Sequence, residues 1–172
     1  MEEICVTEAT PEQIPVIQCL AAQSYPVAYA GIHSEEQNLY MMEQMYNTES
    51  LQRQMTVEHS CFLLLYVESQ PVGYCAYKIH KTQPDTLYID KLYILPSYKG
   101  KGLGRRLVER VKEVAQNLYP QGYSIRLDVN RTNSATSFYE HLGFRILRSW
   151  DAPIGNGYYM NGYEMIATYR TL

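Results

Sequence analysis

Residues 86–117 read TLYIDKLYILPSYKGKGLGRRLVERVKEVAQN, and the order of apolar, glycine and basic positions in this stretch sets the reading of the whole chain. Leu87, Ile89, Leu92 and Ile94 supply the apolar component of a strand, with a change of parity between Ile89 and Leu92 of the kind one inserted residue, a β-bulge, produces. From Leu103 the apolar positions 103, 107, 108, 111, 114, 115 and 118 recur at helical spacing, while Arg105, Arg106, Glu109, Arg110, Lys112 and Glu113 take the other side. A strand therefore runs into a turn containing Gly100, Gly102 and Gly104, and the turn into a long helix. The first turn of that helix has unpaired N–H groups and the positive end of the dipole, to which Lys99, Lys101, Arg105 and Arg106 add formal charge. This is the chemistry of a phosphate or pyrophosphate site. A glycine turn that only caps a helix has the same short sequence, so the flanking strand and the basic residues carry the distinction.

Two nucleotide-binding patterns are excluded. A P-loop needs Lys followed by Ser or Thr after its glycines, whereas Gly104 is followed by Arg105 and Arg106. A dinucleotide fingerprint needs Gly-x-Gly-x-x-Gly, whereas GKGLG simply alternates its glycines and has no βαβ repeat around it.

LYILPSYKGKGLGRRLVERV, residues 92–111, resembles the signature of the GNAT superfamily of acyl-coenzyme A-dependent N-acyltransferases: Arg or Gln, two residues, Gly, one residue, then Gly or Ala. Lys99 stands where the family usually has Arg or Gln, Gly102 and Gly104 match, and the additional Gly100 is common among its members. LDVNRTNSATSFYEHLGF, residues 127–144, resembles the family's second signature, with Asn133, Ala135, Tyr139, Gly143 and Phe144 at matching places. The overall layout, including the broken helical segment from Tyr25 to Met55, is also similar to bacterial spermidine/spermine N-acetyltransferases.

The resemblance implies a single α/β N-acetyltransferase domain over residues 1–172, with a mixed, twisted central sheet and helices on both faces. It implies acetyl-coenzyme A as cosubstrate, its pyrophosphate on backbone donors from Lys99, Gly100, Lys101, Gly102, Leu103, Gly104 and Arg105. Backbone groups of Leu92, Tyr93 and Ile94 would pair with the pantetheine arm. Asn133 would orient a coenzyme group, although capping of the following helix explains it almost as well. Tyr139 matches the family's general acid, and a phenol with an ordinary pKa near ~10 is suited to quench a thiolate. Asp90, two residues before the expected bulge, is the candidate base; it could equally pair with Lys91 or Arg126. Tyr25, Tyr29 and Glu35 are the candidate acceptor-binding residues, with Tyr40 and Tyr46 nearby, because the family closes the segment after its first helix over the acceptor. The alternatives are core packing for the tyrosines and a solvated helix face for Glu35, Glu36 and Glu43.

The implied reaction is acetyl transfer to a primary amine, with a polyamine as the first class, by direct attack in a ternary complex without a Cys or Ser nucleophile. An amino acid, an aminoglycoside or a protein amino terminus is the alternative acceptor, and a coenzyme-binding sensor without turnover is the alternative from another class. A homodimer is expected, as is frequent in the family and compatible with the Tyr-rich terminal strands.

Composition narrows the classes further. A chain of 172 residues with 46% hydrophobic content suits one core-forming domain. The formal charge of −3 gives no general attraction to nucleic acid, so the basic cluster at 99–106 reads as a local ligand site. Cys5, Cys19, Cys61 and Cys75 lack close ligand spacing and read as buried free thiols of a reducing cytosol, and His33, His59, His80 and His141 are scattered, so no metal site is expected. No long apolar span or cationic leader is present, and a soluble, cytoplasmic protein without membrane partners is expected.

The remaining elements follow local signals. Ile4–Thr7 reads as a first strand; Thr10, Pro11 and Gln13 form a capping-box start to a helix ending before Pro26. Gly31 breaks the chain and Ser34 restarts a helix whose face is Leu39, Met42, Met45 and Tyr46, with a further short helix beginning at Thr48 or Ser50. Cys61–Glu68 and Val72–His80 read as a hairpin turning at Ser69, Gln70 and Pro71. Ile125, Leu127 and Val129 mark another strand, Ser134–His141 a helix with Gly143 at its exit. Phe144–Trp150 and Tyr163–Tyr169 form a final strand pair, separated by a Gly-rich loop from Asp151 to Gly162.

Overall fold

Alternating and continuous apolar runs build seven strands, and the computed structural model, which describes residues 1–171, arranges them in the order β1-β2-β3-β4-β5-β7-β6. The strands are β1 (Ile4–Glu8), β2 (Cys61–Val67), β3 (Gln70–Ile79), β4 (Thr86–Ile94), β5 (Gly122–Asn130), β6 (Arg145–Gly155) and β7 (Tyr158–Arg170). The helices are α1 (Ile14–Ala28), α2 (Glu35–Tyr46), α3 (Thr48–Thr56), α4 (Leu103–Leu118) and α5 (Ala135–His141). Residues group into two compact units: Met1–Lys78 with Lys91–Val111, and Ile79–Asp90 with the chain from Lys112 onward. The boundaries fall within β3, β4 and α4.

In the first unit, β1 pairs antiparallel with β2 and β2 antiparallel with β3. Phe62, Leu63, Leu64 and Leu65 are consecutive and all buried, the pattern of a strand covered on both faces. Ile14, Ile17, Leu20 and Ala21 of α1 and Leu51 of α3 share a core with Phe62, Leu64 and Ala76. The capping box is present at the start, where the Thr10 N–H donates to Gln13 Oε1 at 3.0 Å, although the first turn is a 3-10 turn. Helix α1 does not end before Pro26; it continues to Ala28. The proline removes one N–H from the ladder, yet Tyr25 and Tyr29 are buried on either side and the Tyr29 N–H still reaches the Tyr25 carbonyl at 3.2 Å.

Ser34 caps α2 as expected, accepting the Gln37 N–H at 3.1 Å. Leu39 is 63% exposed and does not belong to the buried face; Asn38 is buried in its place, beside half-buried Met41, Met42 and Met45. Helix α3 begins at Thr48, one of the two expected starts, and is capped by Asn47, whose Oδ1 accepts the Ser50 N–H at 2.7 Å. The β2–β3 turn lies at Glu68 and Ser69, both at positive φ, one step earlier than Ser69–Pro71.

In the second unit, β4 runs parallel to β5 over Thr86–Ile89, β5 pairs antiparallel with β7, and β7 antiparallel with β6. Leu87, Ile89, Ile125, Leu127, Val129, Met165 and Ala167 are among its buried apolar positions. The expected loop from Asp151 to Gly162 is instead hairpin: β6 and β7 extend to a turn at Asn156 and Gly157, with φ of 53° and 78°. An Asn-Gly pair accepts positive φ at both turn positions, so the polar residues around it are strand rather than loop.

Within β4, burial alternates through Leu87, Ile89 and Lys91, and its phase slips only between Lys91 and Ile94. The sequence puts the slip at Leu92 because a lysine reads as outward-facing; here Lys91 is 6% exposed and Leu92 half-buried. Gly73 of β3 marks how tightly the chain closes on this strand, since a Cβ there would lie 2.6 Å from Ile94 Cδ1 and 2.9 Å from the Tyr93 carbonyl oxygen. Gly73→Ala is expected to cost about 1–3 kcal/mol by overpacking. Urea unfolding should show a lowered midpoint at unchanged slope; an unchanged midpoint would mean that β3 and β4 separate freely here.

Candidate functional site

The glycine turn lies in the first unit. A 3-10 turn over Pro96–Tyr98 follows β4, and Gly100 and Gly102 take φ of 78° and 74° before α4 begins at Leu103. No atom lies within 4 Å of a Cβ built on either glycine, so backbone conformation rather than crowding demands glycine, and the space over the turn is open. Buried Leu103, Leu107, Val108 and Val111 fix the helix start on the core, while Lys99, Lys101, Arg105 and Arg106 stay exposed. The Lys101 ammonium sits 5.2 Å from the Tyr98 ring centroid, and Arg105 Nε lies 3.0 Å from Glu109 Oε1. Open N–H groups, a helix dipole and exposed cations make this turn suited to a phosphate ester.

Immediately before it, Leu92 and Tyr93 are half-buried and Ile94 is buried, and the Leu95 N–H donates to the Val72 carbonyl at 2.8 Å. Lys91 is held by Gln54, whose Oε1 accepts from Nζ at 2.7 Å; the Gln54 amide donates to the Met45 carbonyl at 2.9 Å and to Ser50 Oγ at 3.1 Å. The same ammonium lies 6.0 Å from the Tyr46 ring centroid and 5.6 Å from that of Phe62.

Tyr25 and Tyr29 belong to an aromatic cluster with Tyr46, Tyr74 and Tyr93 rather than to an exposed wall, being 3% and 8% exposed. The Tyr29 and Tyr93 hydroxyls are 3.2 Å apart and those of Tyr46 and Tyr74 2.7 Å, so the rings are buried with paired phenols. Burial pushes the phenols of Tyr25, Tyr29, Tyr74 and Tyr93 above the usual tyrosine range, which keeps them protonated. His33 stacks on Tyr29 at 4.7 Å and 2°, and burial holds its imidazole below the ordinary histidine value. Tyr40 is half-buried, and Glu35 is exposed in the first turn of α2.

The second unit carries Asn133, Tyr139 and Asp90. Asn133 Oδ1 accepts the Ala135 N–H at 2.9 Å and so starts α5, as capping would have it. Tyr139 is 7% exposed, with Phe138 and Phe144 edge-on at 5.0 and 5.6 Å. Asp90 is exposed and follows Tyr88 at two-residue spacing on one face of β4.

That face holds side chains that motif reading missed. The Tyr88 hydroxyl donates to Asp128 Oδ2 at 2.7 Å, and Trp150 Nε1–H donates to Asp128 Oδ1 at 2.7 Å. Arg126 Nη1 and Arg148 Nε donate to the two oxygens of Glu164 at 2.7 and 2.6 Å. The strict outward alternation of Arg126 and Asp128 in β5 was the available signal, but the partners come from β4, β6 and β7 and only the register joins them.

Comparison with known proteins adds to this geometry. Residues 29–155 match the acetyltransferase (GNAT) domain family. The spermidine N(1)-acetyltransferase of Thermoplasma acidophilum is 28% identical over 141 residues, covering 78% of this chain and 84% of that protein. Among solved structures, the PaiA N-acetyltransferase of the same organism in complex with coenzyme A superposes with a TM-score of 0.79 at 24% identity, covering 97% of this chain and 99% of that one. A GCN5-related N-acetyltransferase from Rhodopseudomonas palustris gives a TM-score of 0.78 at 19% identity, with 98% of each chain covered. The mixed sheet with helices on both faces is the architecture these proteins share.

Glu164 supplies a pH test of the polar face. Burial raises its pKa, but the hydrogen bonds and charges of Arg148 and Arg126 outweigh burial and hold it below the usual glutamate value. A carboxyl depressed on folding contributes stability that is complete above its unfolded pKa and is lost as pH falls through the folded value. Glu164→Gln should therefore flatten the decline of the urea midpoint between roughly pH 6 and pH 3; a decline as steep as the wild type's would mean that the two arginines do not stabilise this carboxylate.

Proposed function

The chain belongs to the GNAT acetyltransferase family and is an acetyl-coenzyme A-dependent acetyltransferase, and on that premise we propose that it acetylates a primary amine, polyamines first, by direct attack in a ternary complex. The observation that carries the choice of amine is the likeness to a spermidine acetyltransferase over 78% of the chain. Exposed Glu35, Glu36 and Glu43 on α2 supply negative charge of the kind a cationic acceptor seeks.

The residues divide the work as follows. The turn from Lys99 to Arg105 receives the pyrophosphate on backbone N–H groups, and its cations screen the phosphate charge. The backbone of Leu92 to Ile94 aligns the pantetheine arm and polarises the acetyl carbonyl. Asp90 takes a proton from the acceptor ammonium, directly or through water, leaving the lone pair that attacks the carbonyl carbon. The C–N bond forms and the C–S bond breaks; Tyr139 donates its proton to the departing thiolate and is reprotonated by the second proton that the new amide nitrogen sheds, while Asp90 passes its proton to solvent. Of the four free thiols only Cys75 is buried; Cys61 is half-buried, and Cys5 and Cys19 are exposed on the outward faces of β1 and α1. Among the described residues, no helix is long and apolar enough to cross a membrane.

Two experiments test this reading. Coenzyme A release screened across polyamines, amino acids, aminoglycosides and peptides should be fastest with polyamines; turnover of a peptide with none of a polyamine would reject the proposed acceptor. Tyr139→Phe keeps ring volume and removes the hydroxyl. Single-turnover acetyl transfer should slow on the order of 10²-fold with little change in coenzyme affinity. An unchanged chemical rate at every pH removes Tyr139 from the acid role, and an equal loss of coenzyme binding makes it a packing residue instead.

A further inference from the structure

One carboxylate on the polar face of the second unit is built differently from its neighbour. Glu164 is neutralised by Arg126 and Arg148, one on each oxygen. Asp128 is held as firmly, at 2.7 Å on each oxygen, but by the neutral Tyr88 hydroxyl and Trp150 indole N–H. Its charge is therefore oriented without being cancelled, and two donors use only half of the roughly four acceptor positions of a carboxylate. Trp150 is itself fixed, because it lies on Gly162 so closely that a Cβ there would stand 2.9 Å from the indole. Two aromatic side chains thus frame a half-buried anion, a setting that favours an organic cation.

Charge around the niche agrees. Burial first, then Asp128, Asp90 and Glu164 in turn, oppose ionisation of the Tyr88 phenol, so its hydroxyl stands in the field of three carboxylates. The cations facing it, Arg126 and Arg148, are engaged by Glu164, and His80 meets the Tyr88 ring edge-on at 6.2 Å. The parallel ladder pairs Tyr88 with Arg126 and ends at Ile89 opposite Leu127; Asp90 and Asp128 follow just beyond it, and both act on the Tyr88 hydroxyl, Asp128 through a 2.7 Å hydrogen bond and Asp90 through its charge.

We propose that Asp128, framed by Tyr88 and Trp150, binds a second ammonium group of the acceptor while the amine to be acetylated lies at Asp90, making it a specificity-determining residue for acceptors with two or more cationic nitrogens. This rests on the polyamine reading above.

The test compares Asp128→Asn with wild type on spermidine, 1,3-diaminopropane and propylamine at saturating acetyl-coenzyme A, with calorimetry of spermidine binding in the presence of coenzyme A. The variant should raise KM for the two polycationic acceptors about tenfold, change kcat less, and raise KM for propylamine by a markedly smaller factor. Spermidine binding should weaken in parallel. Tyr88→Phe and Trp150→Phe each release one carboxylate oxygen and should give smaller losses with the same preference, which keeps the test decisive if Asp128→Asn folds poorly. Equal losses on all three acceptors would make the niche structural, and no loss would place the second ammonium elsewhere; either leaves the polyamine reading standing. Wild type that binds and acetylates spermidine no better than propylamine would overturn the polyamine reading, and the subsite with it.

Discussion

An ammonium group taken out of water must be matched by hydrogen bonds, and Lys91 imposes that requirement on the middle of the first unit. Gln54 meets it from α3 and, through its own amide, ties in the last turn of α2 at Met45 and the first turn of α3 at Ser50. One buried charge thereby registers two helices on the strand that leads to the glycine turn. Leu92, Tyr93 and Ile94, the three residues proposed to meet the pantetheine arm, follow the anchor directly. A lysine in that position costs solvation that an apolar residue would not, and what it gains is a defined placement of the strand against α2 and α3.

The tyrosines extend the same logic. An interior phenol is tolerable when its hydroxyl has a partner, and the Tyr29–Tyr93 and Tyr46–Tyr74 pairs supply partners to one another. This cluster joins α1 and α2 to β3 and β4. The second unit is organised by cross-strand pairing instead: Tyr88 from β4, Asp128 from β5, Trp150 from β6 and Glu164 from β7 meet because the register aligns them.

Much of this was legible in the chain because the signals were local. Glycines at positive φ ahead of an amphipathic helix, the Thr10 capping box and the Asn133 start to α5 all act within a few residues. The misreadings came where a distant partner reversed a local preference. Lys91 is buried because Gln54 reaches it, Pro26 is helical because flanking tyrosines are buried, and the polar residues after Trp150 are strand because Asn156 and Gly157 turn tightly. The Asp128 niche had no motif at all; its three members come from three strands, and only the sheet register assembles them.

The proposed reaction is direct transfer from bound thioester to bound amine, with the protein as a positioning surface. Initial rates measured over a grid of acetyl-coenzyme A and spermidine concentrations test it most directly. Double-reciprocal lines should intersect, and mass spectrometry of protein mixed with acetyl-coenzyme A alone should show no acetylated chain on the turnover timescale. Parallel lines, with a protein-bound acetyl group that a later addition of spermidine removes, would contradict it and assign the first step to a nucleophile on the protein.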